Sequence, residues 1–245
     1  MLLWLFILYR WLAKGTYLCQ MAKILCLETA TTNCSVAVGI DGEVAGLIEE
    51  NSPSYSHSEQ LHVFMEEVMA KASLSLADLD AIAVSKGPGS YTGLRIGVSA
   101  AKGMCFSLDV PLISIPTLQS LARQLQLNSD EVAIALLDAR RMEVYSCAFD
   151  CSHKVLGETK AEVITPDSFQ EYLNFKKIHL IGNGSNKCID VLTNSVFEFH
   201  PERFPSAKEM VELASLKYGA SSFEDVAYFE PFYLKDFVLQ GKKKA

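Results

Sequence analysis

One pattern constrains this chain more than any other, because it occurs twice. Residues 24–29 (ILCLET) form a short apolar run suited to a buried strand and carry Glu28 near its end. After a polar turn, residues 34–40 (CSVAVGI) alternate, with Cys34, Val36, Val38 and Ile40 on one face. Asp41-Gly42 is a hairpin signal, and EVAGLIEE supplies a third strand. The same layout returns at residues 132–138 (VAIALLD), a strand ending in Asp138. MEVYSCAF over 142–149, the turn DCSHK and a third strand near 155–163 follow. Glu28 and Asp138 take equivalent places in the two units.

The first unit leads into SEQLHVFMEEVMAKA, a helix opened by a Ser56–Glu59 capping box, with Leu61, Phe64, Met65, Val68 and Ala72 at helical spacing. The strand DAIAVS, a glycine-rich segment opening a second helix, the strand PLISI and a short helix over 117–127 complete it. In the second unit, Thr165 as N-cap with Pro166 behind it predicts a helix over 165–175. KIHLIGNGS reads as a strand and a glycine turn, and SAKEMVELASLKYGA as an amphipathic helix stopped by Gly219. A β-β-β-α-β-α unit used twice predicts two stacked α/β subdomains with a mixed sheet in each. The expected division is an extension over 1–20, a first subdomain over 21–128, and a second over 129–245 whose tail can return to the first.

A chain of 245 residues is long enough for one large or two small domains, and 49% apolar with 21% charged residues is ordinary for a globular protein. The formal net charge of −7 disfavours tight nucleic-acid binding by this chain alone. The GKKKA end is a short solvated run. Seven cysteines (19, 26, 34, 105, 147, 151 and 188) contain no CxxC pair and mostly lie in apolar runs, as buried thiols of a reducing compartment do. The apolar opening MLLWLFILYRWL is interrupted by Arg10, too short for a comfortable span, and lacks signal-peptide features, so a dispensable extension or a misassigned start is expected rather than a membrane anchor.

The segment SKGPGSYTGLRIGVSAAKG (85–103) resembles a phosphate loop but matches neither template. Gly87 and Gly93 are one residue too far apart for Walker A, and Leu94-Arg95 replace Lys-Ser/Thr. Gly87, Gly89 and Gly93 carry one residue too many for GxGxxG. Along the helix, Gly93, Gly97 and Ala101 form a stripe without side chains, beside an apolar stripe of Leu94, Val98, Ala101, Cys105 and Leu108. Arg95, Lys102 and Asp109 share one narrow face. A helix wet on one narrow strip is buried nearly all round. Interior glycines cost about 1 kcal/mol each relative to alanine, and close approach of another backbone offsets that. Part of the stripe is expected to pack on the chain's own sheet and part against a partner chain.

GPGSYTGLRIG resembles the signature of the bacterial TsaB (YeaZ) family. The resemblance continues through LCLETATTNCSVAV, SHSEQL, LLDARRMEVY, IGNGS and PFYLKD, from residue 21 to about 237. It implies an actin-like ATPase fold of two stacked RNase H-like subdomains. It also implies a cytoplasmic role in forming threonylcarbamoyladenosine beside the anticodon of ANN-decoding tRNAs, as a non-catalytic subunit. That subunit supports the TsaD transferase and is joined by the ATPase TsaE. Alone, the chain is expected to form a homodimer through the same face, meeting tRNA only indirectly, with no cofactor and no membrane. In this family the helices at 56–72 and 91–108 form the pairing bundle. The interface expected here is Leu61, Met65, Val68, Tyr91, Gly93, Leu94, Gly97, Val98, Ala101, Met104 and Cys105.

The residues support a non-catalytic reading. Actin-like ATPases grip phosphate with two acid-bearing hairpins, typically Asp-x-Gly, so that the backbone can approach. Here Glu28-Thr29-Ala30 and Asp138-Ala139-Arg140 both lack the glycine. Glu28, Asp138, Gly182 and Gly184 are therefore expected to mark a degenerate nucleotide site, although a tight turn explains Gly182-Asn183-Gly184 equally well. His57 and His62, five apart on one helix, are rotated too far to share a metal ion and read as surface histidines. No HExxH or G-x-S-x-G motif is present. The rival reading is an actin-like ATPase or kinase using Glu28 and Asp138 around magnesium.

Overall fold

The computed structural model of the chain describes residues 22–52 and 57–235. The apolar opening, Ser56 of the capping box and the lysine-rich end lie outside the described residues. Among the described residues, ten strands form two five-stranded sheets. In the first, β1 (Lys23–Glu28) pairs antiparallel with β2 (Asn33–Ile40) and parallel with β4 (Ala81–Gly87). β3 (Glu43–Asn51) and β5 (Leu112–Pro116) complete the order β3-β2-β1-β4-β5. Asp41 (φ 53°) and Gly42 (φ 82°) both take the left-handed conformation at the β2–β3 hairpin, as a two-residue primed turn requires.

The second sheet is built from β6 (Glu131–Asp138), β7 (Glu143–Phe149), β8 (Lys160–Val163), β9 (Lys177–Ile181) and β10 (Phe197–His200), in the order β10-β9-β6-β7-β8. Read from the first strand of each unit, the two orders are identical, with an antiparallel meander on one side and parallel strands on the other. This duplicated RNase H-like topology is the actin-like ATPase fold.

The apolar runs of β1 and β6 are buried on both faces. Leu25, Leu27, Val36 and Val84 pack beneath α1 (His57–Lys71) and α2 (Tyr91–Leu108). On the opposite face, Cys26, Ala83 and Ile113 pack under α4 (Met210–Gly219) through Met210, Val211 and Ala214. α3 (Thr117–Ala122) is shared, since it touches β4 and β5 of one sheet and buries Leu118 and Leu121 against Ala133 and Phe149 of the other. Arg123 pairs with Glu212 at 2.5 Å, tying α3 to α4 between the sheets. After β10 the chain thus crosses back to the first sheet. Glu224 bridges Leu112, and Phe232 N–H donates to Lys86 O at 2.7 Å.

Three sequence expectations need correction. The helix expected over 165–175 is a set of turns with one 3-10 turn at Gln170–Tyr172. Phe169 is buried in the core with a left-handed φ of 66°, which breaks the helical run. The helix expected over 117–127 ends at Ala122. β10, a four-residue strand between Asn194-Ser195 and Pro201, is absent from the sequence expectations.

Of the described cysteines, Cys26, Cys34, Cys105, Cys147 and Cys188 are buried free thiols and Cys151 is exposed. Burial raises the Cys34 and Cys105 thiols to about 11, so they stay protonated and unreactive. Among the described residues, no helix is long and apolar enough to cross a membrane.

Candidate functional site

The glycine-rich segment packs on the chain's own β1–β2 turn. Ser90 N–H donates to Ala30 O at 2.7 Å, and Ser90 Oγ caps α2 by accepting from Gly93 N–H at 3.2 Å. A Cβ on Gly93 would stand 2.1 Å from Thr29 O, and one on Gly97 would stand 2.3 Å from Thr29 Oγ1. Thr29 Oγ1 donates to Gly93 O at 2.8 Å. The glycine stripe is therefore the seat of the chain's own β1–β2 turn. This corrects the expectation that Gly93 and Gly97 face a partner.

The same holds for most of the expected interface. Leu61, Met65 and Val68 on α1, and Leu94, Val98, Ala101 and Cys105 on α2, are buried in this chain's core. A helical period marks which residues share a face, and that face turns inward. Tyr91 and Met104 alone in that set are half-buried. The charged strip is also partly covered, because the C-terminal segment runs along it. Lys102 Nζ donates to Ala227 O (3.1 Å) and Phe229 O (3.0 Å). Arg95 lies 4.1 Å above the Tyr91 ring and donates to Tyr233 Oη at 3.3 Å.

What α2 leaves open is a different stripe, one position over. Thr92, Ser99, Gly103 and Phe106 face out, flanked by the half-buried Ile96, Ala100 and Met104. Phe106 is 86% exposed, and a Cβ on Gly103 would meet nothing within 4 Å. On α1, Val63 and Ala70 are exposed beside Glu66 and Glu67. This face is shallow, small-residued and apolar at its centre, which suits helix-against-helix packing.

The two acids lie in unlike settings. Glu28 is fully enclosed. Its Oε1 accepts from Ala30 N–H (2.6 Å) and Ser85 Oγ–H (2.9 Å), while Oε2 has no hydrogen-bond partner. Burial raises its carboxyl from 4.5 to about 7, against the lowering effect of those bonds. Asp138 is accessible, but Lys187 Nζ occupies its Oδ1 at 2.6 Å, and its N–H donates to Asn183 Oδ1. Arg140 (φ 70°) and Arg141 (φ 50°) take left-handed conformations in the turn behind it. Gly182 (φ 112°) and Gly184 press on the chain's own β6, since Cβ atoms there would stand 2.2 Å from Leu136 O and 2.9 Å from the Leu136 and Leu137 carbonyl carbons. Their smallness is thus accounted for by internal packing. A carboxyl sealed from solvent and an acid already paired with a lysine are a poor fit to a magnesium-nucleotide site.

Between about 4.5 and about 7 the folded chain holds the Glu28 proton and the unfolded chain does not. The Glu28 contribution to stability is thus full below about 4.5 and is lost as pH rises to about 7. Glu28→Gln is expected to remove this slope, a difference on the order of 3 kcal/mol at most. Urea unfolding at about pH 5 and about pH 8 checks it.

His57 is buried rather than on the surface. Its Nε2 lies 2.7 Å from Thr31 O, and burial lowers its pKa. His62 is exposed.

Comparison with known proteins decides the relationship. The family model described as "TsaD: tRNA N6-adenosine threonylcarbamoyltransferase" matches residues 51–240. The chain is 28% identical to "tRNA threonylcarbamoyladenosine biosynthesis protein TsaB" of Escherichia coli K12, across 90% of this chain and 97% of that protein. It is 29% identical to the protein of the same name from Haemophilus influenzae, across 91% and 98%. The solved structure "YeaZ from Pseudomonas aeruginosa" superposes with a TM-score of 0.76 at 25% identity, across 87% of this chain and all of that one. The chain belongs to this family, in its TsaB (YeaZ) branch.

The TsaB-like motifs now have structural roles. GPGSYTGLRIG is the clamp that seats α2 on the β1–β2 turn, and the described part of PFYLKD, residues 231–235, is the strap whose Phe232 and Tyr233 bind Lys86 and Arg95. Sequence reading missed Gly103 and Phe106. The signal available for Gly103 was an interior helical glycine off the buried stripe.

Proposed function

We propose that this TsaB-like chain is a non-catalytic partner subunit of a TsaD-like transferase in cytoplasmic threonylcarbamoyladenosine formation on ANN-decoding tRNAs. The observation that carries the reading is the outer α1–α2 face, with Phe106 exposed at its end and Gly103 open along it. A fully exposed phenylalanine and an unexplained helical glycine cost a lone monomer solubility and helix stability. Both are accounted for when another helix lies against them. The TsaD helices packed there are the partner's, and a second copy of this chain takes the same face when TsaD is absent. TsaE joins the assembled pair, and tRNA contacts are made mainly by the partner, as the net charge of −7 favours.

Glu28 and Asp138 support the non-catalytic part of the reading, since the first is sealed from solvent and the second is paired with Lys187. Calorimetric titration with ATP and magnesium is expected to show no binding by the isolated chain. Binding with turnover, lost in Asp138→Ala, would favour the rival ATPase reading.

Depleting the protein is expected to remove threonylcarbamoyladenosine from tRNA, read by nucleoside mass spectrometry. Unchanged modification would overturn the proposal. Gly103 supplies a sharper test. Gly103→Ala is expected to stabilise the isolated chain by up to about 1 kcal/mol. Gly103→Leu is expected to keep the chain folded while weakening its complex with TsaD at least about tenfold, through loss of close helix approach. Thermal melts and a titration of the two proteins check both variants.

A further inference from the structure

A cluster on the second sheet lies apart from the α1–α2 face and takes no part in the proposed function. His179 on β9 is Cα-paired with Glu198 on β10 and with Ala133 on β6, so His179, Glu198, His200 and Glu131 share one sheet face. His179 Nδ1 lies 3.1 Å from His200 Nε2, and His200 Nε2 lies 3.6 Å from Glu198 Oε1. One donor atom from each of these three residues falls within 4.8 Å of the others. His179 is 8% exposed, and its Nε2 has no hydrogen-bond partner, with Glu131 Oε2 at 3.6 Å.

We infer that His179, His200 and Glu198 form a binding site for a divalent transition-metal ion of the zinc class, with Glu131 orienting His179. The nitrogen separation is close to the ~3.3 Å edge spanned by two zinc–nitrogen bonds of about 2.0–2.1 Å at a tetrahedral angle. Without an ion the two ring nitrogens face each other and share a proton. Turning the His200 ring about its side-chain bonds lets both lone pairs converge on an ion instead. Glu131 Oε2, 3.6 Å from His179 Nε2, lies on the side of the ring opposite the ligating nitrogen, and a slight closure would give the carboxylate contact that orients a metal-bound imidazole. Charge favours a dication. Two carboxylates flank two imidazoles; Lys177 pairs with Glu198 Oε2 at 2.7 Å, which leaves Glu198 Oε1 on the His200 side. Two histidines and a carboxylate leave a fourth position for water, and imidazole donors suit zinc over magnesium or calcium.

The test uses the full chain with Cys19→Ser and Cys151→Ser, which removes the exposed thiol and the thiol outside the described residues. After chelator treatment, zinc is titrated by calorimetry, and cobalt is added as a spectroscopic substitute. The expected result is a single equivalent of zinc, a tetrahedral cobalt spectrum with histidine ligation, and a raised melting temperature. His200→Gln is expected to weaken zinc binding by more than about 100-fold, and Glu131→Gln by about 10–100-fold. Glu198→Gln, at an exposed position, provides a ligand variant that keeps the fold. Absence of stoichiometric zinc binding by this double variant would overturn the inference and leave a hydrogen-bonded histidine pair. So would undiminished affinity in both His200→Gln and Glu198→Gln.

Discussion

Phe106→Arg is expected to abolish stable association with TsaD while leaving the isolated chain folded. Phe106 is 86% exposed at the C-terminal end of α2, so its replacement removes almost no internal packing. Surface substitutions of that kind change stability by about 0.5 kcal/mol or less. At a helix-against-helix interface the same ring is an aromatic anchor. Removing such an anchor costs about 2 kcal/mol or more, roughly 30-fold in Kd. Arginine adds a charge that must be desolvated next to the apolar Ile96, Ala100 and Met104 surface, which increases the loss. Complementation should follow binding, with the variant failing to restore threonylcarbamoyladenosine in depleted cells. A variant that binds TsaD with unchanged affinity would place the docking surface elsewhere.

Gly93→Val should behave in the opposite way. Its Cβ would enter the space of Thr29 O at 2.1 Å, and that oxygen is backbone, so no side-chain rotation relieves the clash. α2 would have to lift from the β1–β2 turn, stretching the Thr29 Oγ1–H bond to Gly93 O and the Ser90 cap. Overpacking of this kind costs about 3 kcal/mol or more when backbone must move. The melting temperature should fall by roughly 10 °C. Any loss of TsaD binding should then track the unfolded fraction rather than appear in the folded protein. A Gly93→Val chain with unchanged stability and lost TsaD binding would restore the glycine stripe as the partner surface.

The contrast between Gly93 and Gly103 shows how far the sequence can be read. Periodicity identified a side-chain-poor stripe at Gly93 and Gly97 and required close packing there. It could not name what packs, because the answer, Thr29, is 64 residues away and reaches the helix only through tertiary folding. Phe106 follows Cys105 in an apolar run and reads as core. Its exposure depends on where α2 rests on the sheet. The strands of both meanders were legible because alternation and the Asp41-Gly42 turn are local signals. The second unit was read less well. Phe169 ends a helical pattern through a left-handed backbone that no local signal marks, and β10 is four residues long. His179 and His200 meet through parallel pairing of β9 and β10, which joins residues that no linear motif connects. His57 was read as solvated because the polar neighbours His-Ser-Glu hide a ring that turns inward to Thr31.

The same limit explains the acids. Glu28 and Asp138 occupy equivalent places in the two units, and their equivalence was visible as a repeat. Their inequality was not. One is sealed by Ala30 and Ser85, and the other is held by Lys187.

Sedimentation of the purified chain mixed with purified TsaD, at a protein concentration above the expected Kd, tests the adaptor role most directly. A single heterologous complex that disappears with Phe106→Arg, while that variant melts like the unmodified chain, is the predicted result. Two species sedimenting independently, each with the mass it shows alone, would contradict it.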